Sequence, residues 1–176
     1  MKKIMSLVLV AMMGISAMAQ QHEIGAVIGG LNGLSYKYWF NDNVAVQADL
    51  AVGLTAAPVW GQGPVFGTVQ GLLHLYDFTL NPNLAYHFPL TRRMFLYTGG
   101  GLSLGMLSPL NNTNPNNILG KFGINALCGI EFQAKNAPVA VAFDFRPGYG
   151  LGFTNSPTDF LHMFDWKLGL AVRYAF

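Results

Sequence analysis

The chain has 176 residues, of which ten are basic and eight acidic; 52% are hydrophobic and only 10% charged. A soluble secreted domain has a surface that is about a quarter charged or more, and a nucleic-acid-binding domain carries a basic patch or stripe, so the composition argues against both classes. Yet no apolar run beyond residue 20 reaches the roughly 20 residues of a spanning helix, which leaves the closed β-barrel as the structure that satisfies every backbone group within lipid.

Residues 1–19 read as an export signal. Lys2 and Lys3 precede the apolar run 4–15, and Ser16-Ala17-Met18-Ala19-Gln20 places small residues at Ala17 and Ala19, as a signal peptidase requires. Cleavage is expected to leave a barrel domain at 20–176, about 157 residues and enough for one domain. Without Lys2 and Lys3, eight basic residues face eight acidic ones, so the mature chain is neutral. The lone Cys128 offers no disulfide framework and reads as a small apolar residue on an outward face.

The first strand, 22–30, alternates Ile24, Ala26 and Ile28 against Glu23, Gly25 and Val27. Leu31-Asn32-Gly33 offers a tight hairpin, since Asn-Gly tolerates positive φ. The second strand, 34–40, sets Leu34, Tyr36, Tyr38 and Phe40 against Ser35, Lys37 and Trp39, and Asn41-Asp42-Asn43 turns it back. The third, 44–54, points Val44, Val46, Ala48, Leu50 and Val52 outward and Gln47, Asp49 and Gly53 inward. Residues 55–68, with Pro58, Gly61, Gly63 and Pro64 around Trp60, read as a loop. The fourth strand, 69–88, opposes Leu72, Tyr76, Phe78, Leu84, Tyr86 and Phe88 to Asp77, Thr79, Asn81, Asn83 and His87. Pro82 predicts a bulge or a parity offset within it.

Residues 89–93 form a short polar turn, and in the fifth strand, 94–106, Gly99-Gly100-Gly101 blurs the alternation. An uncharged polar loop at 107–119 leads to the sixth strand, 120–133. There Phe122, Ile124, Ala126, Cys128, Ile130 and Phe132 oppose Lys121, Gly123, Asn125, Gly129 and Glu131. A short turn at 134–138 precedes the seventh strand, 139–149, with Val139, Val141, Phe143 and Phe145 against Ala140, Ala142, Asp144 and Arg146. After a last loop at 150–163, the closing strand 164–176 alternates Phe164, Trp166, Leu168, Leu170, Val172, Tyr174 and Phe176 with charged or small residues. At about 3.3 Å per residue and a tilt near 45°, such a strand crosses a bilayer core.

These elements predict an all-β chain, an eight-stranded antiparallel up-and-down transmembrane β-barrel. Short connections alternate with longer ones, which places the loops at 55–68, 107–119 and 150–163 outside the cell, available to a surface ligand, and the turns in the periplasm. A lipocalin-like barrel would turn its apolar face inward, but the polar parity is rich in Gly and Ala, which suits a crowded lumen better than a solvated surface. The inward parity gathers Glu23, Lys37, Asp49, Asp77, Lys121, Glu131, Asp144, Arg146, Asp165, Lys167 and Arg173, six acids and five bases. Near-equal counts predict a closed, salt-bridged plug, because an unpaired charge in so narrow a lumen is costly. The alternative is a narrow ion or proton path. No spacing suggests a metal site, a phosphate loop or a cofactor.

The export signal, the eight alternating strands, the small size and the terminal Phe176 resemble the small outer-membrane β-barrels of Gram-negative bacteria, the group of the OmpA transmembrane domain and OmpX. The Gly-rich opening Gly29-Gly30-Leu31-Asn32-Gly33-Leu34-Ser35, leading into Tyr36-Lys37-Tyr38, resembles openings common among such barrels in Bacteroidetes. The resemblance implies an outer-membrane location, contact with outer-membrane lipid and passage through the barrel-assembly machinery, with Val172, Tyr174 and Phe176 matching the terminal assembly signal of that group. It brings no catalytic motif. Some similar barrels act on lipid A through a His with a Ser or an acid near the outer rim, for which the candidates here are His74, His162, Ser108, Ser156 and Asp159. None shows the spacing of a base oriented by a third group, and His22 and His87, near the periplasmic ends, add nothing to an enzyme reading.

Overall fold

Period-two alternation gives each segment one apolar and one polar face, and a ring of such segments can bury the polar faces only by closing on itself. The computed structural model shows that closure. It describes residues 21–63, 67–109, 119–153 and 160–176, so the export signal at 1–19 lies outside the described residues. Eight strands follow in order: β1 (His22–Gly29), β2 (Asn32–Trp39), β3 (Val44–Gly63), β4 (Gly67–Pro89), β5 (Met94–Pro109), β6 (Leu119–Gln133), β7 (Val139–Phe153) and β8 (Phe160–Ala175). Each pairs antiparallel with its sequence neighbour, and β1 closes on β8 from Glu23↔Ala175 to Gly29↔Gly169.

The faces sort as the alternation requires. Ile28, Leu34, Leu84, Ile124 and Trp166 are each more than half exposed, whereas Lys37, Asp49 and Glu131 are fully buried. The apolar parity therefore faces outward, the reverse of a lipocalin, and bears aromatic bands toward both ends: Phe40, Tyr86, Phe88 and Phe132 near the short turns, and Trp60, Tyr149, Phe160 and Phe164 near the other. Rings that prefer the two membrane interfaces occupy such bands.

Short turns join one end, held by side chains that accept from the backbone. Asn41 Oδ1 accepts from Asn43 N at 3.0 Å and from Val44 N at 2.8 Å, and Thr91 Oγ1 accepts from Arg93 N and Met94 N at 3.3 and 3.1 Å. At the other end the first turn lies earlier than Asn32-Gly33. Gly29 adopts the positive φ (123°), Gly30 and Leu31 make the bend, and Asn32 opens β2. The Asn32 side chain spans the turn instead of forming its corner: Nδ2 donates to Gly29 O at 2.9 Å and Oδ1 accepts from Gly29 N at 3.2 Å.

The segments expected as loops are largely strand. Residues 55–63 continue β3 and 67–68 begin β4, in an unbroken ladder from Val44↔Tyr86 to Gly63↔Gly67. Residues 107–109 and 119 extend β5 and β6, 150–153 extend β7, and 160–163 extend β8; 64–66, 110–118 and 154–159 lie outside the described residues. Turn-forming Gly and Pro are overridden here because each residue keeps a cross-strand partner and Ala57, Val59, Leu75, Leu107, Leu119, Leu161 and Met163 bury one another inside the ring. Pro82 causes no offset either: the β3–β4 ladder runs through Ala48↔Pro82, and the β4–β5 ladder lapses only at 81–82 before resuming in the same register. The missing N–H costs one local link and leaves the parity intact.

One consequence of the short β1–β2 hairpin has no counterpart in the alternation. Above Val52 and Gly169, where β2 and β1 end, β3 and β8 face each other, and they pair directly from Val59↔Met163 to Gln62↔Phe160. That ladder begins one residue beyond Pro58, which has no N–H to give. The wall thus narrows from eight strands to six, with the hairpin tip wedged beneath the join: Gly30 N donates to Leu168 O at 2.7 Å and Leu31 is buried.

Candidate functional site in the barrel lumen

All eleven charged residues of the inward parity project into the lumen, none more than 7% exposed. They fall into three layers. Nearest the short turns, Glu131 takes both Lys37 and Arg173, the latter at 3.5 Å, while Arg173 Nε donates to Ser35 Oγ at 2.9 Å. Lys37 also lies 4.6 Å from the Trp39 ring and 5.4 Å from that of Tyr97, within cation–π range. In the middle layer Arg146 bridges Asp49, at 2.6 Å, and Asp144, with Gln47 Nε2 donating to Asp49 at 3.0 Å. In the third, Lys121 pairs with Asp165 at 2.8 Å and Lys167 with Asp77, closed into a square by contacts of 3.8 and 3.7 Å, while Thr55 Oγ1 donates to Asp77 at 3.1 Å.

Ten of the eleven have an opposite charge within 4.0 Å; Glu23 alone does not, its Oε1 accepting from Trp39 Nε1 at 2.7 Å. Between the middle and third layers, beside Leu31 and Tyr149, remains a cavity of about 10 Å³, room for about one water. Beyond the third layer, the apolar cluster of Leu75, Leu107, Leu119, Leu161 and Met163 fills the six-stranded neck.

Sequence reasoning missed that apolar cap, because most of its members lie in segments read as loops. It also missed Tyr97, whose inward parity the three glycines obscured. Tyr97 packs flat on His87, ring centroids 4.9 Å apart, over Gly129, where an added Cβ would meet the Tyr97 hydroxyl at 2.5 Å. His87 is buried between Tyr97 and Trp39, 4.4 Å from the latter. The signal for this box was present in the inward parity of Trp39 and His87.

The hydrolase-type candidates do not converge. His74 and Ser108 lie on the outward face. His162 is on the outer wall too, stacked on Trp60 at 5.8 Å, with Nδ1 hydrogen-bonded to Tyr149 Oη at 2.5 Å; a phenol and an indole at the rim make an interfacial cluster. Ser156 and Asp159 lie outside the described residues. Val172, Tyr174 and Phe176 share the outward parity of the closing strand, and Phe176 N donates to His22 O at 2.8 Å while its ring stacks on His22 at 5.7 Å. Cys128 is outward and exposed.

No protein-family model matches the chain, and no curated protein matches it by sequence. Solved structures do. The Neisserial surface protein A is similar over 88% of this chain and 93% of its own, at 15% identity and a TM-score of 0.55. The N-terminal barrel domain of OprF from Pseudomonas aeruginosa matches over 88% and 95% (16% identity, TM-score 0.49), and outer membrane protein W of E. coli over 90% and 98% (13% identity, TM-score 0.49). With its outward apolar belt, its closed antiparallel ring of eight strands and this likeness, the chain has the fold of the small outer-membrane β-barrels of Gram-negative bacteria.

Proposed function

We propose that this is an integral outer-membrane protein whose lumen is shut, acting as a structural element of the membrane and, through the end that carries the long hairpins, as a surface for adhesion. The observation that carries the shut lumen is the stacking of three ion-paired layers under an apolar cap. Eight strands enclose an interior that side chains can fill, and a cross-section occupied by paired charges and then by Leu and Met leaves an ion no hydrated route. Planar-bilayer recording of the refolded barrel tests it: no sustained open-state conductance is expected, and stable ohmic steps would favour the pore reading.

The surface role follows from strand length. β3 and β4 have 20 and 23 residues; at about 3.3 Å per residue and a tilt near 40° they reach about 50 and about 58 Å, at least twice the ~25 Å apolar band of an outer-membrane barrel. The short turns sit at the opposite end, which in barrels of this kind is periplasmic. In a Cys128→Ala background, a membrane-impermeant maleimide on intact cells should label Asn114→Cys, between β5 and β6, and spare Arg93→Cys. Labelling at Arg93→Cys alone would invert the topology.

The middle layer is the most sensitive part of the plug. Arg146→Ala leaves Asp49 and Asp144 facing each other, unpaired and buried, at a cost of about 3–5 kcal/mol, read as a lower urea midpoint in detergent-to-bilayer refolding. Neutralising the trio together, with Asp49→Asn, Asp144→Asn and Arg146→Met, should recover most of that loss. An Arg146→Ala barrel as stable as the parent would show that the pairing contributes little.

The closing strand supports a second element of the proposal, that Val172, Tyr174 and Phe176 are read by the assembly machinery. Deleting Phe176 removes roughly 1.5–3 kcal/mol of apolar burial, comparable to Leu170→Ala in mid-strand. Refolding in vitro should suffer alike in both, whereas insertion in cells should fall much further without Phe176. Parallel losses in the two assays would make Phe176 an ordinary lipid-facing ring.

A further inference from the structure

At the short-turn end the barrel opens into a mouth of about 1060 Å³, bounded by the turns at 41–42 and 134–138 and floored by Glu23, Trp39 and Phe95. That floor is chemically incomplete. Glu23 is 2% exposed, and while Oε1 takes the Trp39 N–H, Oε2 has no hydrogen-bond partner among the described residues. The two cations of the adjacent layer, Lys37 and Arg173, are both committed to Glu131. Directly behind Trp39 and Phe95, at ring distances of 4.4 and 6.5 Å, lies the fully buried His87, which is shut off from the mouth by those rings. A buried carboxylate oxygen accepts only. Leaving such a group unsatisfied in a low-dielectric interior is expensive. What the floor lacks is an N–H donor for Glu23 Oε2 beside two aromatic faces.

We propose that this mouth binds an organic cation rich in N–H donors, an alkylammonium or guanidinium group, held by Glu23 Oε2, with Trp39 and Phe95 packing its apolar stem. Aromatic rings beside a carboxylate recognise such cations by charge and by the ring quadrupole together. At the rim Asp42 and Lys135 offset each other, and Glu23 is the acid of the floor. A free small amine and the side chain of a polypeptide lysine present the same chemistry. The site does not depend on whether the lumen conducts.

The Trp39 indole N–H reports on the site because it is bonded to Glu23 itself. Its resonance would be followed in the full barrel, refolded in micelles at fixed ionic strength, during titration with 1,5-diaminopentane, with the uncharged pentane-1,5-diol and with the capped peptide Gly-Lys-Gly. A saturable shift is expected with an amine and not with the diol. Glu23→Gln keeps an acceptor for Trp39 and should weaken binding about tenfold or more, as befits a hydrogen bond to a charged group. Saturation by the diamine identifies a free amine as the occupant, and saturation by the peptide alone identifies a polypeptide lysine. No shift with either, an equal shift with the diol, or unchanged affinity in Glu23→Gln would overturn the proposal, leaving water as the partner of Glu23 Oε2. If Glu23→Gln fails to refold, the amine and diol titrations of the parent barrel decide the matter.

Discussion

A strand in lipid has no water to serve its N–H and C=O groups, so every wall position needs a neighbour. The pairing of β1 with β8 meets that demand in the lower wall, and the whole division into a lipid face and a lumen face depends on it. The same demand explains the upper wall. Because β1 and β2 end at Gly29 and begin at Asn32, β3 and β8 would present bare edges above them; their direct pairing from Val59 to Gln62 closes the ring with six strands. Prolines fit this accounting. Pro58 lies at the lower limit of the β3–β8 ladder, and Pro82 and Pro147 each interrupt one flanking ladder while the other continues through Ala48↔Pro82 and Pro147↔Trp166.

Closure creates the second problem, the lumen. A charge moved from water into so small an interior loses several kcal/mol of solvation, and the barrel recovers it by pairing across the ring. The partners come from distant parts of the chain: Lys37 with Glu131, Asp49 with Arg146, Asp77 with Lys167. Each such bond crosslinks opposite walls, so the charges that make the inside polar also fix its cross-section. Glu23 departs from the scheme, and it is the charge that floors the open mouth. Above the third layer the solution changes, and apolar side chains fill the narrower neck.

Much of this was legible in the residues, because period two is a property of the strand itself. The alternation of Ile24 with Glu23, of Tyr36 with Lys37 or of Ile130 with Glu131 assigns each side chain to a face before any partner is known, and the eleven inward charges follow from it. The short turns were equally local, resting on Asn41 and Thr91 folding back on their own backbone. Gly99-Gly100-Gly101 marks the limit: without side chains the parity is silent, and Tyr97 went unassigned.

The sequence by itself thus determined the class, the number of strands and the facing of the residues in the segments it read as alternating. The tertiary structure decided where the strands end, since Pro58, Gly61 and Gly152 hold strand conformation only because a neighbouring strand supplies a ladder and a buried face. It moved the first turn to Gly29, whose positive φ lets Asn32 bridge the corner. It also chose which acid meets which base. Parity states that a charge points inward, but its depth in the barrel depends on strand tilt and register around a closed ring, and no single segment contains that information.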